Sequence, residues 1–214
     1  GDRDRYDIRC RWVAKEIAHS HSDQFFAATP PLEALRFLLS DAATGRRDGM
    51  SGGRKVLFLD AKKAHLHAPS VRDVYVELPP ERARPGHCCR MKRCLYGTRD
   101  APRQWEQFAA TALEALGFQR GKASPVCFYH PGRAILGLVH GDDFVFSGGD
   151  AALDWVAEAL AKTILLKVVG RLGGDARAGD VQELRCLNRV VRWLPGGIAL
   201  EADPRHAELL TAML

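Results

Sequence analysis

The chain has 214 residues, of which 46% are hydrophobic and 27% are charged. This is typical of a globular protein with one domain or two small ones, and no apolar run approaches the ~20 residues of a membrane span. The net charge of +5 favours an anionic partner such as nucleic acid. The opening GDRDRYDIRC lacks the apolar core of a signal peptide. The chain begins without Met, so we expect it to be a piece of a longer protein.

Apolar spacing and turn residues predict the elements of the first half in chain order. A strand over 9–18 precedes a helix over 29–45, with Thr29 as its cap, Pro31 in its first turn and Gly45 at its end. KVLFLD at 55–60 is almost wholly apolar, which is typical of a strand buried on both faces. Two further strands and a helix follow, over 73–79, 89–97 and 101–118.

The second half alternates strand pairs with helices. Strands are predicted over 125–130, 134–140, 144–148, 165–172, 183–194 and 197–203, and helices over 149–164 and from Asp203 to the end. Pro195 and the two glycines after it predict a hairpin turn. This mixture favours the α+β class, with helices packed on one face of a largely antiparallel sheet.

Two adjacent carboxylates, Asp142 and Asp143, lie between the apolar strands of LVHGDDFVFSG. One interpretation is a solvated turn, because Gly and Asp are common turn residues. In the flanking strands, however, the residues that face either side of the sheet are apolar, so the hairpin is expected to be buried. Acids at the tip of a buried hairpin form a rigid site for a hard cation such as Mg²⁺. Asp60 ends another apolar strand, where it can also cap a helix. If the two strands are neighbours, Asp60 and Asp142 could bracket two metal ions, which is an arrangement that supports phosphoryl transfer.

A basic stretch runs from Arg82 to Arg103. It holds seven Lys or Arg residues against one acid, Asp100. Two interpretations remain open, namely a solvated basic loop and strand, or a surface that contacts phosphate groups.

Seven segments follow the order of motifs in the reverse transcriptase of copia-type LTR retrotransposons, and the chain resembles that family over nearly its whole length. They are RCRWVAKE, FFAATPPLEALRFLLSDAA, LFLDAKKAHLHA, VYVELPPE, MKRCLYGTRDAPRQW, SPVCFYH and LVHGDDFVFSG. The resemblance implies a single reverse transcriptase domain over 1–214 with the right-hand polymerase palm-and-fingers fold. Residues 1–55 and 68–100 would be fingers-like, the remainder would be the palm and the start of the connection, and the thumb would be short or absent.

The same resemblance implies an RNA-directed DNA polymerase, a nucleotidyltransferase that extends a primer on an RNA or DNA template. Asp60, Asp142 and Asp143 would bind Mg²⁺, or Mn²⁺, with Asp60 and Asp142 as direct ligands, Asp143 as the third carboxylate and help from the backbone carbonyl of Ala61. The expected partners are template-primer nucleic acid, dNTPs and other segments of a Pol polyprotein, with no membrane. Integrase and RNase H segments do not appear in this sequence, and the expected place of action is a cytoplasmic particle or the nucleus.

Two other functions stay open beside the polymerase. One is a catalytically inactive retroelement fragment that binds nucleic acid through its basic surface. The other is an RNA-dependent RNA polymerase, because the family's tyrosine and valine before the Asp pair are His140 and Gly141 here, and the resulting GDD also occurs in viral enzymes of that class.

The resemblance further implies residues that contact the substrates. Lys15 and Arg11 are candidates for the triphosphate, with an exposed edge strand as the alternative, and Tyr96 and Gly97 would form the wall of the nucleotide pocket. His65 stands where the family has an aromatic residue that excludes a ribose 2′-hydroxyl. The cations predicted to contact nucleic acid are Arg99, Arg103, Lys92 and Arg93.

Asp100 departs from the family, which has a glutamine at this position. It places a negative charge where a phosphate-bearing substrate is expected to pass.

Overall fold

The computed structural model describes residues 12–17, 27–45, 53–175, 179–187, 189–202 and 204–212. Arg11 and Asp203, which carry a predicted contact and a predicted cap, lie outside the described residues. The chain divides into two compact units. The first unit comprises Gly1–Ala27 and His65–Trp105, and the second comprises Ala28–Ala64 and Glu106–Leu214.

The helices and strands follow one another along the described residues in a mixed order. They are α1 (Leu32–Thr44), β1 (Lys55–Ala61), β2 (Tyr75–Val76), β3 (Cys89–Arg90), α2 (Ala101–Ala115), β4 (Gln119–Arg120), β5 (Cys127–His130), β6 (Ile135–His140), β7 (Asp143–Gly148), α3 (Asp150–Ala161), β8 (Leu166–Leu172), β9 (Glu183–Cys186), β10 (Arg189–Leu194), β11 (Gly197–Ala202) and α4 (Pro204–Ala212). None of these helices is long and apolar enough to cross a membrane.

The described part of the first unit contains little regular structure. Its strands β2 and β3 form a two-residue antiparallel ladder, which is much shorter than the strands predicted over 73–79 and 89–97. Pro79 and Pro80 lie three and four residues after the end of β2 and cannot donate backbone hydrogen bonds to a longer ladder. The predicted strand over 9–18 is wrong for its described part, because residues 12–17 belong to no strand. One backbone hydrogen bond, from Ala14 N to Tyr96 O at 2.7 Å, links that segment to residues 95–97.

The second unit is built on a six-stranded sheet of order β4-β5-β6-β7-β1-β8. Its strand pairs are all antiparallel, as the sequence predicts. The interior strand β1 is buried along almost its whole length, which explains its unbroken apolar run. Directly opposite residues of neighbouring antiparallel strands share a face of the sheet, and successive residues alternate between faces.

The two faces of this sheet are covered by different elements. The carboxylate face, defined by Val56, Phe58 and Asp60, packs against α1 and against a three-stranded sheet of order β11-β10-β9. The opposite face, defined by Lys55, Leu57 and Leu59, packs against α3. Its first residue, Asp150, forms an ion pair with Lys55 at 3.0 Å. The prediction that the helices pack on one face is therefore wrong, because a sheet that is apolar on both faces must be covered on both.

Helix and strand boundaries show two further differences from prediction. Helix α1 begins at Leu32 with Pro31 at its N-cap and no side-chain cap, so neither Thr29 nor Pro31 has the predicted position, whereas Gly45 ends the helix as predicted. The strand predicted over 183–194 is two strands, β9 and β10, which pair with each other. Leu187 between them has a φ of 49°, a left-handed conformation that interrupts an extended strand.

The predicted fingers-like part and the first unit do not coincide. The prediction assigns residues 1–55 to the fingers-like part, whereas α1 belongs to the second unit. The assignment of fingers and palm stays a prediction.

Candidate active site

Two carboxylates face each other at one end of the neighbouring strands β1 and β7. Asp60 on β1 and Asp143 on β7 are direct partners in the antiparallel ladder, so their side chains project from the same face. Both residues are half-buried. The sequence predicts that Asp60 and Asp142 lie close together if their strands are neighbours. The strands are neighbours, but the ladder partner of Asp60 is Asp143.

The third carboxylate, Asp142, lies in the two-residue turn of the β6–β7 hairpin and is exposed. Gly141, the first residue of this turn, has a φ of 59°, which a glycine adopts without steric cost. The backbone N–H of Ala61 donates to the carbonyl oxygen of Asp142 at 2.7 Å. This hydrogen bond ties the end of β1 to the turn and fixes the positions of Asp60 and Asp142 relative to each other.

The three carboxylates are close enough to interact electrostatically. Burial, the charge of Asp142 and the charge of Asp60 together raise the pKa of Asp143 to about 6. The ionised form of Asp143 is therefore destabilised in the folded chain. A bound cation would reduce that destabilisation.

The donor set suits a hard divalent cation. Among the described residues, no three His, Cys, Asp or Glu side chains form a group that could hold a metal ion. Mg²⁺ typically takes only one or two carboxylates and completes its shell with phosphate oxygens and water. The opposed pair Asp60 and Asp143 satisfies that requirement, and the remaining ligands would come from the substrate and from water.

A cavity of about 180 Å³ opens beside this pair. Two cations, Lys167 on β8 and Arg185 on β9, line it together with Asp60 and Asp143. Cys186 also lines it, and burial and the charge of Asp143 raise the pKa of its thiol to about 12. The thiol is therefore protonated at neutral pH and is not a nucleophile.

His140 is the ladder partner of Asp143 on the other side of β7. Its Nδ1 atom is buried without a hydrogen-bond partner among the described residues. Burial lowers the pKa of His140, and the nearby charge of Asp142 opposes that shift. His140 departs from the family pattern, and the sequence predicts no role for it.

The residues predicted to contact the nucleotide lie in the first unit, whereas the carboxylates lie in the second. His65 is half-buried in a short 3₁₀ helix, and its ring lies 4.5 Å from the ring of Tyr96. Lys15 is exposed. At Gly97, with a φ of 90°, a Cβ atom would lie 2.0 Å from the carbonyl oxygen of Ala14. The backbone of Ala14 therefore approaches Gly97 so closely that only glycine fits there. A contact between Gly97 and a nucleotide stays a prediction.

The four cations predicted to contact nucleic acid also lie in the first unit. Lys92, Arg93 and Arg103 are exposed, and Arg99 is half-buried. The Arg93 guanidinium donates to the backbone carbonyl of His67, and the backbone N–H of Arg99 donates to Glu16 at 2.8 Å. These contacts lie within the chain and do not test phosphate binding. The role of all four cations in binding phosphate therefore stays a prediction.

The expectation that Asp100 presents its charge to the substrate is wrong. Its side chain is only 5% exposed and forms an ion pair with Arg72 at 2.6 Å. Arg72 also pairs with Glu16, so one guanidinium joins the 12–17 segment to the start of α2. The sequence carries no local sign of this network, because its three members are far apart along the chain.

Replacement of Gly141 with Ala is expected to destabilise the chain by about 1 to 2 kcal/mol, because a Cβ atom strains a residue of positive φ. Urea unfolding measures the change. Gly149→Ala is the matched control, since Gly149 has a φ of −74° and both glycines have open space where a Cβ would lie. An equal effect of the two substitutions would show that the turn does not require glycine.

Comparison with known proteins places this chain in a family. The family model described as "Reverse transcriptase (RNA-dependent DNA polymerase)" matches residues 3–174. The chain therefore belongs to the reverse transcriptase family. The resemblance to copia-type elements is confirmed by its relatives, which are Pol polyproteins of transposons.

Three comparisons give the extent of these similarities. The Retrovirus-related Pol polyprotein from transposon RE2 of Arabidopsis thaliana is 33% identical over 100 residues, which are 44% of this chain and 7% of that protein. The corresponding polyprotein from transposon TNT 1-94 of Nicotiana tabacum is 28% identical over 137 residues, which are 61% of this chain and 10% of that protein. A structure of apo telomerase from Candida tropicalis, truncated from its C-terminal domain, aligns with a TM-score of 0.47 at 11% identity, covering 80% of this chain and 40% of that one.

Proposed function

We propose that this chain carries the polymerase centre of an RNA-directed DNA polymerase of a retrotransposon. Membership of the reverse transcriptase family supports the reaction class, and the transposon polyproteins among its relatives support the source. The chain spans a tenth or less of the length of the curated relatives named above, so the activity of a whole polyprotein and its other segments belongs to this proposal. The observation that carries it is the ladder pairing of Asp60 with Asp143 beside the Asp142 turn.

The carboxylates would act by placing negative charge, which binds divalent cations, at one end of the sheet. Asp60, Asp142 and Asp143 would hold Mg²⁺ or Mn²⁺, with Asp60 and Asp143 projecting from the ladder and Asp142 from the turn. When bound, two divalent cations would lower the pKa of the attacking primer hydroxyl and neutralise the leaving pyrophosphate. The protein contributes rigidity, because the ladder and the Ala61 hydrogen bond fix the carboxylates before substrate binds.

Template-primer and dNTPs are the proposed substrates. Lys15, Arg11, Tyr96 and Gly97 are proposed to contact the nucleotide, and the nucleic acid would meet the exposed cations of the first unit. Among these cations, Lys92 and Arg103 have exposed side chains that can approach a phosphate backbone.

Primer extension on an RNA template tests the proposal. The wild-type chain with Mg²⁺ is expected to extend the primer with dNTPs, to fail with NTPs and to stop when a chelator is added. Asp142→Asn is expected to abolish extension while binding of template-primer is retained or tighter, because the variant loses a metal ligand and a negative charge near the phosphates. Extension with NTPs would favour an RNA polymerase, and binding without extension would favour an inactive nucleic-acid-binding fragment.

Substitution of His65 tests the proposed discrimination between sugars. His65→Ala is expected to improve the relative use of NTPs by about tenfold, because it removes the ring that would exclude the 2′-hydroxyl. His67→Ala is the matched control, since His67 lies in the same short helix and packs against Trp105 with ring centroids 6.0 Å apart. Equal discrimination by both variants would show that His65 does not select the sugar.

A further inference from the structure

One carboxylate, that of Glu16, holds the 12–17 segment against two distant parts of the first unit. Its Oε1 and Oε2 atoms accept hydrogen bonds from the Arg72 guanidinium at 3.1 and 3.0 Å. Its Oε2 atom also accepts a hydrogen bond from the backbone N–H of Arg99 at 2.8 Å. Two parallel hydrogen bonds from an arginine fix the orientation of a carboxylate as well as its position. Glu16 therefore occupies a defined place between residues that lie 56 and 83 positions away in the chain.

Arg72 is held from its other side by Asp100. The same guanidinium donates to Asp100 at 2.6 Å, and the Asp100 side chain is only 5% exposed. A carboxylate buried to this extent depends on Arg72 for its counter-charge. The family has a glutamine at this position, and a glutamine has no charge to pair with Arg72. The network formed by Glu16, Arg72 and Asp100 therefore uses a residue in which this chain departs from the family.

A backbone contact anchors the same segment at Ala14. The N–H of Ala14 donates to the carbonyl oxygen of Tyr96 at 2.7 Å, and a Cβ atom at Gly97 would lie 2.0 Å from the carbonyl oxygen of Ala14. Ala14 and Glu16 are half-buried, whereas Lys15 between them is exposed. The segment is thus anchored on both sides of Lys15, by the backbone of one neighbour and by the side chain of the other.

Lys15 lines a groove of about 880 Å³ in the first unit. This volume lies in the range of roughly 300 to 1,000 Å³ that is typical of sites for small molecules. Leu95 and Thr98 line the groove too. They flank the two residues, Tyr96 and Gly97, that are predicted to form the wall of the nucleotide pocket. Because lysine carries its charge at the end of a flexible stem, the place of the ammonium group depends on the backbone that bears it.

We infer that Glu16, held by Arg72 and Asp100, is a positioning residue that places Lys15 for the incoming nucleoside triphosphate. This inference rests on the proposed function, which supplies the identity of the ligand. Both oxygens of the Glu16 carboxylate are engaged within the chain, so Glu16 acts through the backbone of its segment and not by touching the substrate. Its loss should therefore weaken nucleotide binding only where Lys15 is present.

Hydrogen exchange of the Ala14 amide tests the anchoring on the full chain without any ligand. The hydrogen bond of this amide goes to Tyr96 and not to Glu16, so its exchange reports the segment and not the substituted residue. Glu16→Ala is expected to speed this exchange by about tenfold, because local opening becomes easier. Asp73→Ala is the matched control and should leave it unchanged. Asp73 lines the same groove and pairs with Arg90 at 2.6 Å, but its side chain is 65% exposed.

Titration of the full chain with a fluorescent dNTP tests the effect on the nucleotide. The titration contains Mg²⁺ and a template-primer whose 3′ end is blocked, so the nucleotide binds and is not incorporated. Glu16→Ala is expected to weaken dNTP binding by about tenfold relative to Asp73→Ala. Glu16→Gln keeps the size of the side chain and an acceptor oxygen but loses the charge, so a loss of about threefold is expected. This second variant decides the question if Glu16→Ala does not fold.

A double-mutant cycle with Lys15 separates positioning from general damage to the unit. Lys15→Gln alone should weaken dNTP binding by about tenfold. Lys15→Gln/Glu16→Ala should weaken it no further, because Glu16 acts through Lys15. In primer extension, Glu16→Ala should raise the KM for dNTP by a similar factor and leave kcat unchanged. If Glu16→Ala binds dNTP like Asp73→Ala, or if the effects of the substitutions at Lys15 and Glu16 add, the inference is wrong.

These outcomes are separable from the proposed function. A wild-type chain that binds dNTP, shows the expected cycle and extends no primer retains the role of Glu16 and refutes the polymerase. A chain that extends primers while Glu16→Ala keeps the wild-type KM for dNTP retains the polymerase and refutes the role of Glu16.

Discussion

Asp143→Asn is expected to abolish primer extension and, at the same time, to make the metal-free chain more stable at neutral pH. Extension should fall by about 10³-fold or more, because the variant removes one of the two opposed carboxylates that would hold the cation. Stability should rise because Asp143 is half-buried beside Asp60 and Asp142, and Asn occupies the same space without a charge.

The sign of the stability change follows from the pKa. Burial and the two neighbouring carboxylates raise the pKa of Asp143 in the folded chain to about 6, from 3.8. A carboxyl group with a raised pKa contributes its full stability below pH 4, where it is protonated in both states, and loses that contribution as the pH rises through 6. At pH 7.5 the variant should therefore be more stable than the wild type by about 1 to 2 kcal/mol, after allowance for solvent screening. Near pH 4 the difference should be only a small fraction of that value.

Urea unfolding in EDTA at the two pH values measures this change, and primer extension measures the loss of activity. Glu158→Gln is the control, because Glu158 is an exposed carboxylate on α3 that should affect neither quantity. Addition of Mg²⁺ should raise the melting temperature of the wild type more than that of Asp143→Asn. Retained extension would refute the assignment of Asp143 to the site, and a loss of stability at pH 7.5 would show that the three carboxylates do not repel one another.

The parts of the site that lie close together in sequence were predictable. The β6–β7 hairpin has apolar strands around a Gly-Asp turn, and β1 is an apolar run that ends in Asp60. Each is a local pattern whose meaning depends on a few consecutive residues. The same holds for α3, whose buried residues Leu153, Val156 and Leu160 repeat at helical spacing.

The parts that depend on register between distant strands were not predictable. The position of Lys167 opposite Asp60 requires both the pairing of β1 with β8 and the bulge at Val169. No residue type in LLKVVGRL signals that bulge. The packing of α1 and α3 on different faces, and the burial of Asp100 against Arg72, likewise arise from contacts between residues far apart in the chain.

Arg72→Met is expected to destabilise the first unit by about 3 kcal/mol. Arg72 donates to Asp100 at 2.6 Å and to Glu16 at 3.0 and 3.1 Å. The hydrogen bond from Arg72 is the main cause of the lowered pKa of Asp100, and it also lowers the pKa of Glu16. Removing the guanidinium would leave the Asp100 carboxylate buried without a counter-charge, which typically costs about 3 to 5 kcal/mol. The lower value applies because the Arg72 side chain is 35% exposed.

The same unit offers a matched control in Arg90→Met. Arg90 also forms an ion pair with an aspartate, Asp73, at 2.6 Å, but both side chains are about two-thirds exposed at 66% and 65%. Such pairs contribute about 0 to 1 kcal/mol, so Arg90→Met should change the urea midpoint little. The double variant Arg72→Met/Asp100→Asn should recover part of the loss, because it removes the stranded charge. Equal effects of Arg72→Met and Arg90→Met would show that burial does not strengthen the Arg72–Asp100 pair, whereas the expected difference would identify Arg72 as the residue that holds the 12–17 segment and the start of α2 together.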